Sequence, residues 1–267
     1  MTDRKNFVLP KTYLIGYTAL DFNNLSNYLY ETGQTDFLKD MTKAGESGIS
    51  DGEILCSFYA KLCYASLVIG KNENVTKIRS VEKNIEATID SGHGSVFEHC
   101  YLNFVVHNCS RVFTHELVRH RVGTSFSQTS GRYVRTDKLD VVVDPILEPA
   151  YDLVEDTIEF IEEAYRRIEV RMGIGDSMDF HQKKKITSAM RRLLPNGQAN
   201  EIGFGINLRS LRHLIELRTN RAAEWEIRLV FNQIFDVLKD KYRLMFRDAT
   251  KELVEGAYEI KFANKKI

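Results

Sequence analysis

The sequence predicts an α+β fold in which helices outnumber strands. Two observations support this prediction. Several stretches carry apolar residues at every third or fourth position, as in amphipathic helices, and two short stretches carry them at every second position, as in half-buried strands. The chain of 267 residues contains neither an internal repeat nor a low-complexity linker. We therefore predict a single domain over residues 1–267, of which residues 1–50 are the least defined by their pattern.

Three elements are predicted in the first half of the chain. The pattern indicates a helix from Glu53 to about Val68 and a strand over residues 101–107, with Leu102, Phe104 and Val106 on one side. Directly after this strand, Ser110 can cap a helix that continues to the basic run Arg119-His120-Arg121. The strand would thus lead into a helix with a basic C-terminal end.

The second half of the chain contains the most regular pattern. A long amphipathic helix is predicted from Tyr151 to Met172, and Gly173 ends it. A short strand contains the alternating residues Ile202, Phe204 and Ile206. A further helix is predicted to follow from Ser210 toward Tyr242, with a break near Thr219.

Composition excludes several classes of protein. The 37 basic and 37 acidic residues give a net charge of zero, which argues against general electrostatic binding to nucleic acid or to an anionic membrane. No stretch approaches the ~20 apolar residues of a membrane span, and no signal peptide is recognisable, so a cytoplasmic protein is expected. The four cysteines lack zinc spacings, and His93, His99 and His107 do not suggest a metal centre. No metal is expected.

Arginine-rich clusters indicate where chemistry is concentrated. The guanidinium group pairs bidentately with phosphate, so such clusters favour phosphorylated ligands. Within the first of these clusters, after the basic run 119–121, the segment from Thr124 to Tyr133 combines hydroxyls with Gln128 and Gly131, as an anion-binding loop does. The clusters comprise Arg119, His120, Arg121, Arg132 and Arg135; Arg191 and Arg192; and Arg209, Arg212, Arg218 and Arg221.

Three other interpretations of these residues stay open at this point. The clusters could be solvated charged faces, and the segment a polar turn without a ligand. The same arginines, with Phe126 and Tyr133 for stacking on bases, could also form a nucleic-acid-binding module. Zero net charge and the lack of a continuous basic face weigh against that module.

The run Arg119-His120-Arg121, followed after eight residues by Ser130-Gly131-Arg132-Tyr133, resembles the signature of the flavin-dependent thymidylate synthases, where seven residues form the spacer. The additional residue lies near Gly123 or Thr124. Further blocks resemble the same family in order and spacing over about residues 55 to 245. These blocks are 60–64, 93–99, 191–195, 207–211, 217–218 and 223–227.

The resemblance implies a fold with a small, mostly antiparallel sheet packed with several long helices. It implies an enzyme that methylates dUMP to dTMP, with FAD as cofactor, methylenetetrahydrofolate as one-carbon donor and NADPH as reductant, releasing tetrahydrofolate. It also implies a homotetramer whose active sites lie between subunits. A degenerate member that binds dUMP without turnover is an alternative, because the spacer is longer than the family's.

The resemblance also assigns site residues. Arg218 would activate the uracil ring, and Ser130 would hold substrate rather than act as a nucleophile; no enzyme nucleophile is implied. His213 and Ala222 stand where other members have asparagine and histidine. The residues implied for dUMP are Glu116, Arg119, Gln128, Thr129, Ser130, Gly131, Arg132, Arg191 and Arg218. Those implied for FAD are His93, Ser95, Glu98, Arg119, His120, Arg121, Gln128, Asn207, Arg209 and His213.

Overall fold

The computed structural model describes residues 6–131, 138–175 and 177–264. It confirms the α+β fold. The strands are β1 Lys11–Tyr17, β2 Tyr101–Cys109, β3 Thr124–Gln128, β4 Asn200–Asn207, β5 Ala249–Val254 and β6 Ala257–Phe262. The α-helices are α1 Phe22–Glu31, α2 Asp36–Glu46, α3 Asp51–Cys63, α4 Val81–Ser91, α5 Arg111–Leu117, α6 Tyr151–Arg171, α7 Phe180–Met190, α8 Leu208–Thr219 and α9 Trp225–Leu238. Short 3₁₀ helices span Gly94–His99, Pro145–Ala150 and Arg191–Leu193.

Four of the strands form one sheet in the order β1-β2-β4-β3. Its two central strands, β2 and β4, are the ones that alternation predicts, because their apolar side chains point to a buried face. Strands β5 and β6 form a separate antiparallel hairpin, with Ala249 opposite Phe262 and Val254 opposite Ala257. Its two turn residues, Glu255 and Gly256, both have positive φ angles, as a tight hairpin with right-handed twist requires.

The chain divides into two compact units that alternate along the sequence. Unit 1 comprises Met1–Thr12, Val105–His120 and Phe126–Gly203. Unit 2 comprises Tyr13–Phe104, Arg121–Ser125 and Phe204–Ile267. None of the helices in the described ranges combines the length and the apolar character needed to cross a membrane.

Unit 1 is built around the long helix α6. Ile158 of this helix packs with Leu139 and Val141 in a buried cluster. The cluster continues to an edge-on contact between the rings of Phe7 and Tyr151, whose centroids lie 4.9 Å apart. Burial of these side chains on one face of α6 explains why its apolar period was readable from the sequence.

Unit 2 has the larger core, which contains stacked rings of Phe104 and Phe204 with centroids 5.2 Å apart. Helix α3 begins with a capping box between Ser50 and Glu53. The Glu53 carboxylate also accepts hydrogen bonds from the backbone N–H groups of Leu244 (2.8 Å) and Met245 (3.3 Å). One buried carboxylate therefore joins the start of α3 to the segment that follows α9.

The predicted elements are confirmed with corrections at their ends. Strands β2 and β4 and helix α6 lie where the pattern places them, and the break near Thr219 separates α8 from α9. Helix α3 ends at Cys63 rather than near Val68, because the chain turns through Ala65, which has a φ of 49°. Helix α9 ends at Leu238, short of Tyr242.

Candidate functional site

The basic run Arg119-His120-Arg121 does not belong to a helix, so that prediction is wrong. Ser110 does cap α5, accepting a hydrogen bond from the N–H of Phe113 (3.0 Å), but the helix ends at Leu117. The N–H groups of Arg119 and His120 donate to carbonyls only three residues back, at 3.4 and 3.1 Å. The last turn therefore tightens, and the basic residues lie in a bend that leads into β3.

The first half of the predicted anion-binding loop is also not a loop. Thr124–Gln128 forms strand β3, the neighbour of β4 in the sheet. Just beyond the strand, the N–H of Thr129 still donates to the carbonyl of Glu201 (3.0 Å), and the side chain of Gln128 donates to Thr114 Oγ1 (2.9 Å). The backbone of this polar segment therefore makes its hydrogen bonds with β4. The polar side chains of the segment do not by themselves predict a strand.

Gly131 lies directly against two arginine side chains of unit 1. A β-carbon built on Gly131 would lie 3.5 Å from Nη2 of Arg111 and 3.9 Å from Cδ of Arg191. Gly131 and Arg191, both predicted to bind dUMP, are thus brought together although they are sixty positions apart in the sequence. Arg132, which was predicted beside them, lies outside the described residues. This group, Arg111, Gly131 and Arg191, is called the arginine pocket below.

Arg111 is a candidate site residue that the sequence motifs do not indicate. It is the first residue of α5, and burial, followed by the nearby charge of Arg191, lowers the pKa of its guanidinium. A signal was present in the sequence, because a cation in the first turn of a helix opposes the partial positive charge of the helix N-terminus. An arginine directly after a capping serine therefore calls for an explanation.

The other residues predicted for dUMP in unit 1 lie on the segments that flank the arginine pocket. Glu116 is half-buried in the last turn of α5, and Arg119 is exposed in the bend after it. Thr129 is exposed and Ser130 half-buried, directly before Gly131. Arg218 is the exception, since it belongs to unit 2.

Unit 2 carries an exposed polar strip formed by residues predicted for FAD. Arg209 Nη1 contacts Glu98 Oε1 at 2.6 Å, which connects the start of α8 to the 3₁₀ helix Gly94–His99. Ser95 and Glu98 are three residues apart and share one side of that 3₁₀ helix. His213 lies one turn after Arg209 on the same face of α8 and is exposed. A hydroxyl, a carboxylate, a guanidinium and an imidazole are thus presented together.

Asn207 fixes the start of this strip. Its side chain caps α8 by accepting a hydrogen bond from the N–H of Ser210 (2.8 Å), and its own N–H donates to the carbonyl of Gly123 (3.0 Å). Gly123 has a φ of +66°, a conformation that favours glycine. The segment that follows the basic run 119–121 therefore contacts the cap of α8 at Gly123.

The three histidines considered for a metal have separate environments. His93 contacts the hydroxyl of Tyr64 through Nε2 at 2.7 Å, and His99 stacks on Tyr59 with ring centroids 3.7 Å apart. His107 pairs with Glu201 at 3.1 Å. No group of three potential ligands is found within the described part of the chain.

The arginine side chains of the third cluster point in different directions around α8. Arg212 is fully buried and belongs to the core: it binds both carboxylate oxygens of Asp248 at 2.9 Å, donates to the Met245 carbonyl and lies 4.0 Å over the ring of Phe262. Arg218, in the last turn of α8, follows Arg209 by nine residues, which at about 100° each places it on roughly the opposite side of the helix. The arginines of this cluster therefore do not form one continuous binding surface.

Comparisons with known proteins agree with the motifs. A family described as thymidylate synthase complementing protein matches residues 47–242. A flavin-dependent thymidylate synthase of Corynebacterium diphtheriae is 29% identical over 219 residues, covering 79% of this chain and 85% of that protein. One from Geobacter sulfurreducens is 31% identical over 211 residues, covering 77% and 85%.

The fold has a counterpart among solved structures. Thymidylate synthase X from Helicobacter pylori, crystallised with FAD and dUMP, superimposes with a TM-score of 0.56 at 20% identity. The match covers 90% of this chain and 98% of the other. At this identity the likeness supports the fold.

Proposed function

The chain belongs to the flavin-dependent thymidylate synthase family, and we propose that it converts dUMP to dTMP with FAD, methylenetetrahydrofolate and NADPH, releasing tetrahydrofolate. The observation that carries the proposal is the approach of Arg191 to Gly131. These two residues come from separate family motifs, and a backbone without a side chain beside a guanidinium is suited to a phosphate group.

Gly131 and Arg191 hold the phosphate end of dUMP in this proposal. Gly131 allows the backbone to approach the phosphate oxygens closely, Arg191 supplies charge-assisted hydrogen bonds, and the hydroxyl of Ser130 lies next in the chain. Fixing the phosphate orients the nucleotide, so that the uracil ring is presented in one direction. Glu116, Arg119, Gln128 and Thr129 would complete the contacts.

The polar strip of unit 2 is chemically suited to FAD. Arg209, Ser95 and His213 offer donors for a diphosphate, and Glu98 holds Arg209 in place at 2.6 Å. When bound, the flavin supplies the hydride that reduces the transferred one-carbon unit. The residues that we propose to hold it are His93, Ser95, Glu98, Arg119, His120, Arg121, Gln128, Asn207, Arg209 and His213.

Arg218 is proposed to activate the uracil. A guanidinium beside the pyrimidine carbonyl and N3 stabilises the ionised ring, which raises the electron density at C5, where the new carbon bond forms. The chain itself needs no nucleophile in this scheme. The three buried cysteines, Cys56, Cys100 and Cys109, belong to the core rather than to the residues proposed for the site.

We propose a homotetramer in which each active site takes residues from more than one copy. Arg209 and Arg218 lie on roughly opposite sides of α8, a helix about 10 Å across. The residues proposed for FAD and for the uracil ring thus point in different directions from one helix, and we propose that one copy contributes to two sites. Light scattering of the purified protein should give the mass of four chains, and a monomeric, active enzyme would contradict the proposal.

Tritium release from 5-labelled dUMP, with FAD, methylenetetrahydrofolate and NADPH present, tests the proposed reaction. The unaltered protein should release tritium. Arg218→Ala should lower the rate at least ~100-fold, since removing a preorganised charge of this kind costs about 3 kcal/mol or more, and should retain FAD absorbance. Arg243→Ala, which removes an exposed arginine of the same unit, is the control and should react normally.

Two results would count against this scheme. A near-normal rate for Arg218→Ala would remove that residue from the mechanism. Binding of dUMP by the unaltered protein without tritium release would identify a family member that retains the nucleotide site and has lost turnover.

A further inference from the structure

The main chain of Arg111 is fixed beside the segment that carries Arg191. The N–H groups of Arg111 and Val112 both donate to the carbonyl of Asn196, at 2.9 and 3.3 Å. Arg191 lies five residues before Asn196, in the short 3₁₀ helix Arg191–Leu193. The start of α5 is therefore held against the turn that follows Arg191, and the two arginine side chains share one neighbour, Gly131.

The positive charge of Arg191 disfavours the charged form of Arg111. Arg111 is half-buried, and its pKa is lowered by burial first and by the charge of Arg191 second. Within residues 6–131, 138–175 and 177–264, neither side chain forms an ion pair with a carboxylate. Two like charges in a partly desolvated place are unfavourable until an anion joins them.

Gly131 leaves room for that anion. The atom of Arg111 nearest to a β-carbon on Gly131 would be Nη2, a hydrogen-bond donor at 3.5 Å. Any larger residue would place a side chain between this donor and the backbone. The donor end of Arg111 therefore faces the bare backbone on which a phosphate oxygen can rest.

We propose that Arg111 is a further binding residue for the phosphate of dUMP, forming a two-arginine clamp with Arg191 over Gly131. The inference rests on the proposed function, which supplies the nucleotide. A phosphate monoester carries a charge of about −1.5 to −2 near neutral pH, which matches two guanidinium groups better than one. Each planar guanidinium can donate two parallel hydrogen bonds to the same group.

The test compares dUMP with deoxyuridine, which lacks the phosphate, by titration calorimetry on the FAD-loaded protein. Arg111→Met should weaken dUMP binding about 10- to 100-fold, the effect of losing charge-assisted hydrogen bonds, and should leave deoxyuridine binding unchanged. Arg111→Lys should lie between, because it keeps the charge and loses the fork. Arg166→Met removes an exposed arginine of the same unit that pairs with Glu163, and should match the unaltered protein.

Thermal unfolding provides the second measurement. If Arg111 is present for the ligand, Arg111→Met without ligand should unfold at the same temperature or higher, because a repulsion between like charges in a half-buried place has been removed. A fall in melting temperature with unchanged dUMP affinity would overturn the clamp, since Arg111 would then have a structural partner. Equal weakening of dUMP and deoxyuridine would overturn it as well.

The clamp and the proposed reaction can fail separately. If Arg191→Met weakens dUMP but not deoxyuridine, while Arg111→Met changes neither, the clamp is wrong and the reaction stands. If Arg111→Met weakens dUMP selectively and the unaltered protein releases no tritium, the clamp stands and the proposed reaction is wrong.

Discussion

Substituting alanine for Gly123 should disturb the flavin site through Asn207. A β-carbon on Gly123 would lie 2.0 Å from Nδ2 and 2.8 Å from Cγ of Asn207, and 2.9 Å from Oγ of Ser210. Non-bonded heavy atoms do not approach so closely, and the hydrogen bond from the Asn207 N–H to the Gly123 carbonyl holds the two backbones together. The side chain of Asn207 must therefore leave its position as the cap of α8.

The expected loss of stability has two parts. Alanine at the positive φ of Gly123 costs about 1–2 kcal/mol, and losing the cap of a helix costs typically ~1 kcal/mol. The sum is about 2–3 kcal/mol. Gly33→Ala is the matched control, because Gly33 also has a φ of +66° in unit 2 but has no atom within 4 Å of its β-position. Gly33→Ala should therefore lose only the about 1–2 kcal/mol that alanine costs at a positive φ.

Thermal unfolding of both variants measures the stability, and flavin absorbance after gel filtration measures the retained FAD. Gly123→Ala should lose FAD, because Asn207 is displaced, whereas Gly33→Ala should keep it. Equal melting temperatures and equal FAD content in the two variants would refute this reasoning, since the contact with Asn207 would then have no consequence.

Two further predictions concern buried charges in unit 2. Asp248→Asn should lower the free energy of unfolding by about 3–5 kcal/mol, because it leaves the buried guanidinium of Arg212 without its anion. The control is Glu86→Gln, which breaks the exposed pair with Arg247. In the same thermal unfolding measurement this variant should change the free energy of unfolding by less than ~1 kcal/mol. Burial raises the pKa of Glu53 above 4.5, so the native carboxyl keeps its proton where the unfolded one has lost it, and stability should fall as pH rises from 4.5 through the native pKa. Glu53→Gln should flatten this part of the profile of stability against pH, and an unchanged slope would contradict the assignment.

The elements that could be predicted are those whose burial produces a strict period. Strands β2 and β4 lie at the centre of the sheet, and each carries its apolar side chains on one buried face, so these side chains alternate along the sequence. Helix α6 buries one face along 21 residues. Strand β3 could not be predicted, because it is short and polar and its backbone is satisfied by β4 rather than by any preference of its own residues.

The residues of the candidate site also differ in how far the sequence predicts them. Gly131 and Arg191 could be predicted because their motifs resemble those of a family, and the structure places them together. An arginine directly after the capping serine is unusual, but the role proposed for Arg111 could not be predicted, because it depends on contacts with Gly131, 20 residues further on, and with Arg191, 80 residues further on. The end of α5 was mispredicted because basic residues are common in the last turn of a helix, and here they follow the helix instead.

Helix α8 shows why arginine density is a poor measure of a binding site. Residues at the spacing of Arg212, Ile215 and Thr219 point into the core and are buried, so the helical period alone assigns Arg212 to the interior. There its guanidinium binds Asp248, and together with the buried apolar residues beside it this sets the rotation of α8. With that rotation His213 is exposed beside Arg209, whereas Arg218 is half-buried on nearly the opposite side. Arg212 thus belongs to the interior that orients the residues proposed for FAD and for the uracil ring, and its own charge is not available to either ligand.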